Sequence, residues 1–196
     1  MRWTAHIPNA LTASRFVIAA WLILDALDGA ASVVFVPLFL AAGVTDALDG
    51  MLARLLRATS LRGTLLDSYA DIVLYGSAFV CAVLLYPDVI RSFAGWIVAL
   101  FAFQFFSWGF SLVKFRRMTS YHTYSAKAWA ALLFVSLAFL FALKSTAFLI
   151  PMFVIGILAN TEESFITAVM PYWKAGITGL REARRLRDAY KNPPLY

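Results

Sequence analysis

Four aspartates, Asp46, Asp49, Asp67 and Asp71, punctuate an otherwise apolar stretch, "GVTDALDGMLARLLRATSLRGTLLDSYADIVLYG" (residues 43–76). The first two stand at i and i+3 and the last two at i and i+4, so on helices each pair shares one face. Gly63 lies one turn before Asp67 on the same stripe. If two consecutive helices run antiparallel from a joint near Arg57 to Arg62, both pairs lie roughly 8 to 15 Å from that turn at about 1.5 Å per residue. Four carboxylates can then converge between two helices.

Left unpaired, those carboxylates would repel one another and be costly to ionise in an apolar setting. Divalent cations resolve the conflict. Hard oxygen donors around a small cavity suit Mg²⁺ or Mn²⁺, and four carboxylates can hold two such ions. A single intramembrane aspartate could instead pair with an arginine or cap a helix end. Four at helical spacing, with Gly50, Ala53 and Gly63 interleaved, fit that explanation poorly. The small residues let a ligand or a facing backbone approach closely. Arg54, one turn beyond Asp49 and Gly50, could hold a phosphate oxygen beside the metals.

The elements that carry these residues follow from composition. Of 196 residues, 62% are hydrophobic and only 14% charged, against roughly a quarter charged in a soluble domain. Mean hydropathy is +0.76, and the apolar residues fall in long blocks, as in a polytopic membrane protein. The expected fold is all-α, with six transmembrane helices over residues 11–170. The spans run from about Leu11 to Leu27, Ser32 to Leu56, Gly63 to Tyr86, Ile90 to Phe115, Ser125 to Leu143 and Thr146 to Met170. Residues 1–10 begin a juxtamembrane helix. In "HIPNALTASRF" a Pro-Asn start, a Thr that could cap and an interfacial Arg suggest a short helix bending into the first span. Residues 171–196 form a basic tail, read either as an amphipathic interfacial helix or as a solvated segment. No repeat, soluble domain or cleavable signal peptide is apparent, so the chain reads as a single membrane domain. The lone cysteine, Cys81, lies in an apolar stretch and reads as a small buried hydrophobe.

Charge gives the orientation. The turns after spans one, three and five carry only Arg91 and Lys144, whereas Arg2, Arg54, Arg57, Arg62, Lys114, Arg116, Arg117 and the basic tail collect on the other side. By the positive-inside rule both termini and the aspartates are cytoplasmic. The net charge of +6 suits anionic lipid headgroups and is not read as nucleic-acid binding.

The pattern Asp46-x2-Asp49-Gly50-x2-Ala53-Arg54-x8-Gly63-x3-Asp67-x3-Asp71 resembles, position for position, the signature of the CDP-alcohol phosphotransferase (phosphatidyltransferase) family. Chain length, span number and the "PNALTASR" entry segment resemble it too. The resemblance implies an inner-membrane enzyme in which an alcohol hydroxyl attacks the β-phosphorus of a CDP-linked lipid such as CDP-diacylglycerol, releasing CMP. It implies that Asp46, Asp49 and Asp67 are the main metal ligands, and that Asp71 is the general base and a further ligand. By the same resemblance Gly50, Ala53, Arg54 and Gly63 bind CDP, two Mg²⁺ or Mn²⁺ ions are held, and the enzyme is a homodimer. An ion-coupled transporter is the alternative of another class. Such proteins place carboxylates near the midplane, often between repeats, and neither feature is visible in this chain.

The acceptor is less legible. A phosphorylated acceptor needs cations, and Lys114, Arg116, Arg117 and Lys127 are the candidates, with Lys127, about a turn inside span five, preferred; the competing reading of each is an ordinary positive-inside anchor. Glycerol 3-phosphate is the first choice, yet Ile72 stands where many phosphatidylglycerophosphate-forming members have Lys. "LDSYAD" resembles the phosphatidylserine-forming branch instead, and serine, inositol phosphate or another alcohol remain alternatives. Glu162 and Glu163 in "NTEES" could bind an amine acceptor, pair with the basic loop or mark the interface.

Overall fold

The structure, a computed structural model, describes residues 6–55, 61–119 and 121–191, with side chains at 12–45, 69–119 and 121–191. Among the described residues every regular element is a helix: α1 (His6–Ala26), α2 (Phe35–Leu55), α3 (Leu61–Leu85), α4 (Pro87–Ser92), α5 (Ala94–Phe115), α6 (Tyr124–Leu143), α7 (Leu149–Val169) and α8 (Leu180–Lys191). The all-α expectation is met. Three of these helices, α5, α6 and α7, are long and apolar enough to cross a membrane, and shorter apolar runs cover Phe35–Thr45 in α2 and Tyr69–Leu85 in α3. The chain divides into two compact units, residues 1–91 with 140–144, and residues 92–139 with 145–196.

In the first unit α1 packs against both α2 and α3. Its buried residues are Thr12, Arg15, Ala19, Leu22 and Ala26, a run with alternating spacing of three and four that draws one stripe along a helix. Matching stripes run through Phe35, Phe39 and Ala42 on α2 and through Ala70, Leu74, Ala78 and Cys81 on α3. Alanines on α1 and α3 let the helix backbones approach, which is how apolar helices gain packing when the surroundings are as apolar as they are. Outward positions such as Val17, Leu24, Ile72 and Val80 are exposed, as residues facing lipid would be. The α1–α2 turn is closed by polar contacts. Gly29 adopts φ +80°, with its N–H on the Ala26 carbonyl, while Asp25 accepts from Ser32 N–H and Asp28 from Ala30 N–H. The last residues of α6 also belong here: Phe141 meets Phe35 and Phe39 edge to face, with ring centroids 5.0 and 5.2 Å apart.

In the second unit α7 packs against α5, and Gly156 of α7 is tightly enclosed. A Cβ at Gly156 would lie 2.6 Å from Trp129 Nε1 and 2.7 Å from Leu100 Cδ1, so α5 and α6 both press on a site that tolerates no side chain. Phe153, one turn earlier, stacks with Phe93 and Trp96. Polar side chains inside these helices return to the backbone: buried Asn160 donates to Gly156 O, and Ser136 to Leu132 O and Phe148 O. Each donor is thereby satisfied in a setting without water.

Two expectations change, and one reading left open is decided. The entry segment is not a separate helix with a cap at Thr12, because helix runs unbroken from His6 and Thr12 is buried inside it. The "YPD" turn extends into the short helix α4, so the next long helix starts at Ala94 and not near Ile90. Within the tail, Leu180–Lys191 form the helix α8, and this part is docked. Ile177 and Ala183 are fully buried with Ile166, Met170 and Tyr121, and Phe115, Leu180 and Leu186 pack around them.

Replacing Gly156 with Val should lower the thermal unfolding midpoint in detergent, at a cost of about 1–3 kcal/mol for overpacking. An unchanged midpoint would show that the α5–α6–α7 contact is looser than described.

Candidate functional site

Asp71 lies on α3, one residue beyond the buried Ala70, and its side chain is 38% exposed. Arg15 Nη1 of α1 donates to Asp71 Oδ1 at 2.5 Å, and the Arg15 side chain is 0% exposed. The guanidinium stays charged at any ordinary pH, so this burial requires an anionic partner, and Asp71 supplies one. Arg15 was expected at the interface. It lies instead on the buried stripe of α1, and that Thr12–Arg15–Ala19–Leu22 spacing is the sequence signal that could have revealed it.

The backbone places Asp46, Asp49, Gly50, Ala53 and Arg54 on the C-terminal half of α2, and Gly63 and Asp67 on the first turns of α3. The signature therefore lies on consecutive helices, each packed on α1. Side chains of these seven residues lie outside the described residues, as does the Arg57–Ser60 part of the joint. Among the described residues no group of three or more metal-ligating side chains occurs. The donor set that bears on a metal is the chemistry of the four carboxylates. All are hard oxygen donors of the kind Mg²⁺ and Mn²⁺ take.

The acceptor candidates lie in the second unit and make separate contacts. Arg116 ends α5 in the left-handed conformation (φ 55°), its N–H on Leu112 O. Arg117 stacks over the Trp173 ring at 5.0 Å, while Trp173 Nε1 donates to Met118 O. Lys127 is in the first turn of α6, with Nζ 5.6 Å from the Tyr124 ring centroid. Lys114 donates to the Thr167 and Ala168 carbonyls, closing the end of α7.

Glu162 and Glu163 acquire partners that the sequence left open. Glu163 accepts from Ser107 Oγ at 3.4 Å and from Thr119. Glu162 accepts a short hydrogen bond from Ser125 Oγ and another from Leu180 N–H at 3.3 Å. The second bond satisfies an orphan amide at the start of α8 and places negative charge at its positive end. Thr123 Oγ1 accepts from Ala126 N–H at the start of α6, and His122 and Tyr124 N–H donate to the Ile177 and Thr178 carbonyls. The tail is thus laced to the loop that carries the acceptor candidates. A cavity of about 560 Å³ opens there, lined by Tyr124, Glu162, Thr178, Arg181, Glu182 and Arg184, among others.

Two titrations follow from this lacing. Burial pushes the Tyr121 hydroxyl above its ordinary range, opposed by its hydrogen bond with Thr167. The Thr178 N–H and then the Thr178 hydroxyl, both donating to Glu182, hold that carboxyl below the ordinary glutamate range, with Lys174 adding to the effect. The contribution of Glu182 is therefore present above the unfolded glutamate value and is lost as pH falls through the lowered folded value. Amide exchange should show protection of Thr178 declining through that acidic window, and Glu182→Gln should flatten the decline.

The family model for CDP-alcohol phosphatidyltransferase matches residues 5–179, nearly the whole chain. No curated protein and no solved structure matched it.

Proposed function

The chain belongs to the CDP-alcohol phosphatidyltransferase family, a transferase family of phospholipid synthesis, and from that premise we propose that it transfers a phosphatidyl group from CDP-diacylglycerol to a small alcohol. The acceptor oxygen bonds to the lipid-side phosphorus, the bond from that phosphorus to the bridging oxygen breaks, and CMP leaves with the electron pair. The acceptor proton goes to Asp71. The observation that carries this reading is the intact eight-residue signature on two consecutive helices inside the family match.

The roles follow from residue chemistry. Asp46, Asp49 and Asp67, with Asp71, would hold two divalent ions, and the family depends in general on such ions. Bound there, the ions supply charge neutralisation for the diphosphate and the departing CMP. Arg54 grips diphosphate oxygens, while Gly50, Ala53 and Gly63 leave room for the nucleotide. Asp71 orients the attacking hydroxyl and takes its proton, a role a carboxylate fills when its surroundings tune it. Glycerol 3-phosphate is the first acceptor to test, with Lys127, Arg116 and Arg117 as its cations; serine, inositol phosphate or another alcohol would use the same chemistry.

The proposed setting is a single membrane domain of six spans in the inner membrane, as a homodimer, with both termini and the site cytoplasmic. Lipid then enters sideways and CMP leaves to water. The exposed Arg181, Arg184, Arg185 and Lys191 on α8 would rest on anionic headgroups, with exposed Tyr172 and Tyr190 nearby in the same tail.

Purified protein given CDP-diacylglycerol and Mg²⁺ should release CMP with one acceptor among glycerol 3-phosphate, serine, inositol phosphate and choline, and EDTA should abolish that release. If glycerol 3-phosphate is the acceptor, Lys127→Ala should raise its KM by roughly ten-fold or more, as expected for loss of a charged contact, with kcat changed less. Absence of CMP release with every acceptor would count against the enzyme and favour an ion-coupled carrier.

A further inference from the structure

We propose that Arg15, a residue outside the eight-position signature, is the positioning residue for Asp71. The proposal rests on the reading of Asp71 as the base. It begins from a contact between residues 56 positions apart: Arg15 Nη1 on Asp71 Oδ1 at 2.5 Å. One partner is wholly enclosed and the other partly open, at 0% and 38% exposure. An aspartate on a helix face turns about two side-chain bonds, and a base that can turn away loses rate steeply with small misplacements. Arg15 restricts that freedom from a different helix. Its own position is set by the α1 stripe, where Thr12, Ala19 and Leu22 are buried on the same face. Arg15 holds Oδ1, while the Asp71 side chain as a whole remains 38% exposed.

A guanidinium suits this task better than an ammonium. It cannot relieve its burial by losing a proton, and its planar fork fixes direction as well as charge. Lysine at the same position would keep the charge and lose the geometry.

The test compares Arg15→Gln, Arg15→Lys and Asp71→Asn in detergent, with Mg²⁺, CDP-diacylglycerol and saturating acceptor. Arg15→Gln should lower kcat by roughly 10–100-fold, the range seen when a partner that orients a functional ligand is removed, and leave both KM values nearly unchanged. Arg15→Lys should recover part of that loss. Thermal unfolding gives a readout independent of turnover: the Arg15→Gln/Asp71→Asn double variant should be less destabilised than the sum of the single variants, because the two share one interaction. Wild-type kcat in Arg15→Gln, or additive destabilisation, would overturn the proposal. If Arg15→Gln does not fold, Arg15→Lys decides, with reduced kcat at unchanged KM supporting the proposal and wild-type kcat overturning it. Asp71→Asn with wild-type turnover would overturn the base reading instead, a result separable from the stability coupling.

Discussion

A permanently charged guanidinium with no exposed surface dictates much of the first unit. Burying Arg15 without an anion would be severely unfavourable, and removing one partner of a buried pair costs far more than the pair itself contributes. Asp71 therefore ties the register of α1 to that of α3, and the Ala19, Leu22 and Ala26 positions follow from it at helical spacing. Because α1 also packs on α2, one helix carries the alignment of both signature-bearing helices.

The second unit is held by other means. Its helices close on Gly156 and stack aromatic rings, and their polar side chains return to nearby backbone. The tail joins through a small core around Ile177 and through Glu162, which serves the starts of α6 and α8 at once. α8 can therefore keep a strongly basic outer face without leaving the bundle. Arg181, Arg184 and Arg185 are exposed, while Ala183 is buried and Leu186 packs against the same core.

Much of this was legible in the sequence. Most boundaries of the long helices follow from apolar blocks separated by Gly, Pro and charged turns, and a described helix lies over each of the six blocks, although the short α4 and the merged start of α1 were not foreseen. The signature aspartates announced themselves because carboxylates in apolar helices need a reason. Arg15 was harder to see, since an arginine near a helix start looks like an interfacial anchor until its neighbours reveal a buried stripe. The glutamates of "NTEES" depended on contacts distant in sequence, Glu162 with Ser125 and Leu180 and Glu163 with Ser107 and Thr119, which no local pattern encodes. The unbroken α1 was missed because a proline near a helix start fits the first turn of a helix as well as a break.

The proposed reaction, in which an alcohol displaces CMP directly from a lipid-linked diphosphate, draws on the family match, the signature and the buried ion pair together. Glycerol 3-phosphate, or whichever acceptor supports turnover, can be prepared with ¹⁸O in the attacking hydroxyl and the products weighed by mass spectrometry. Direct attack on the lipid-side phosphorus predicts the label in the new phosphodiester and none in CMP. Labelled CMP, or a product lipid without the label, would contradict the account.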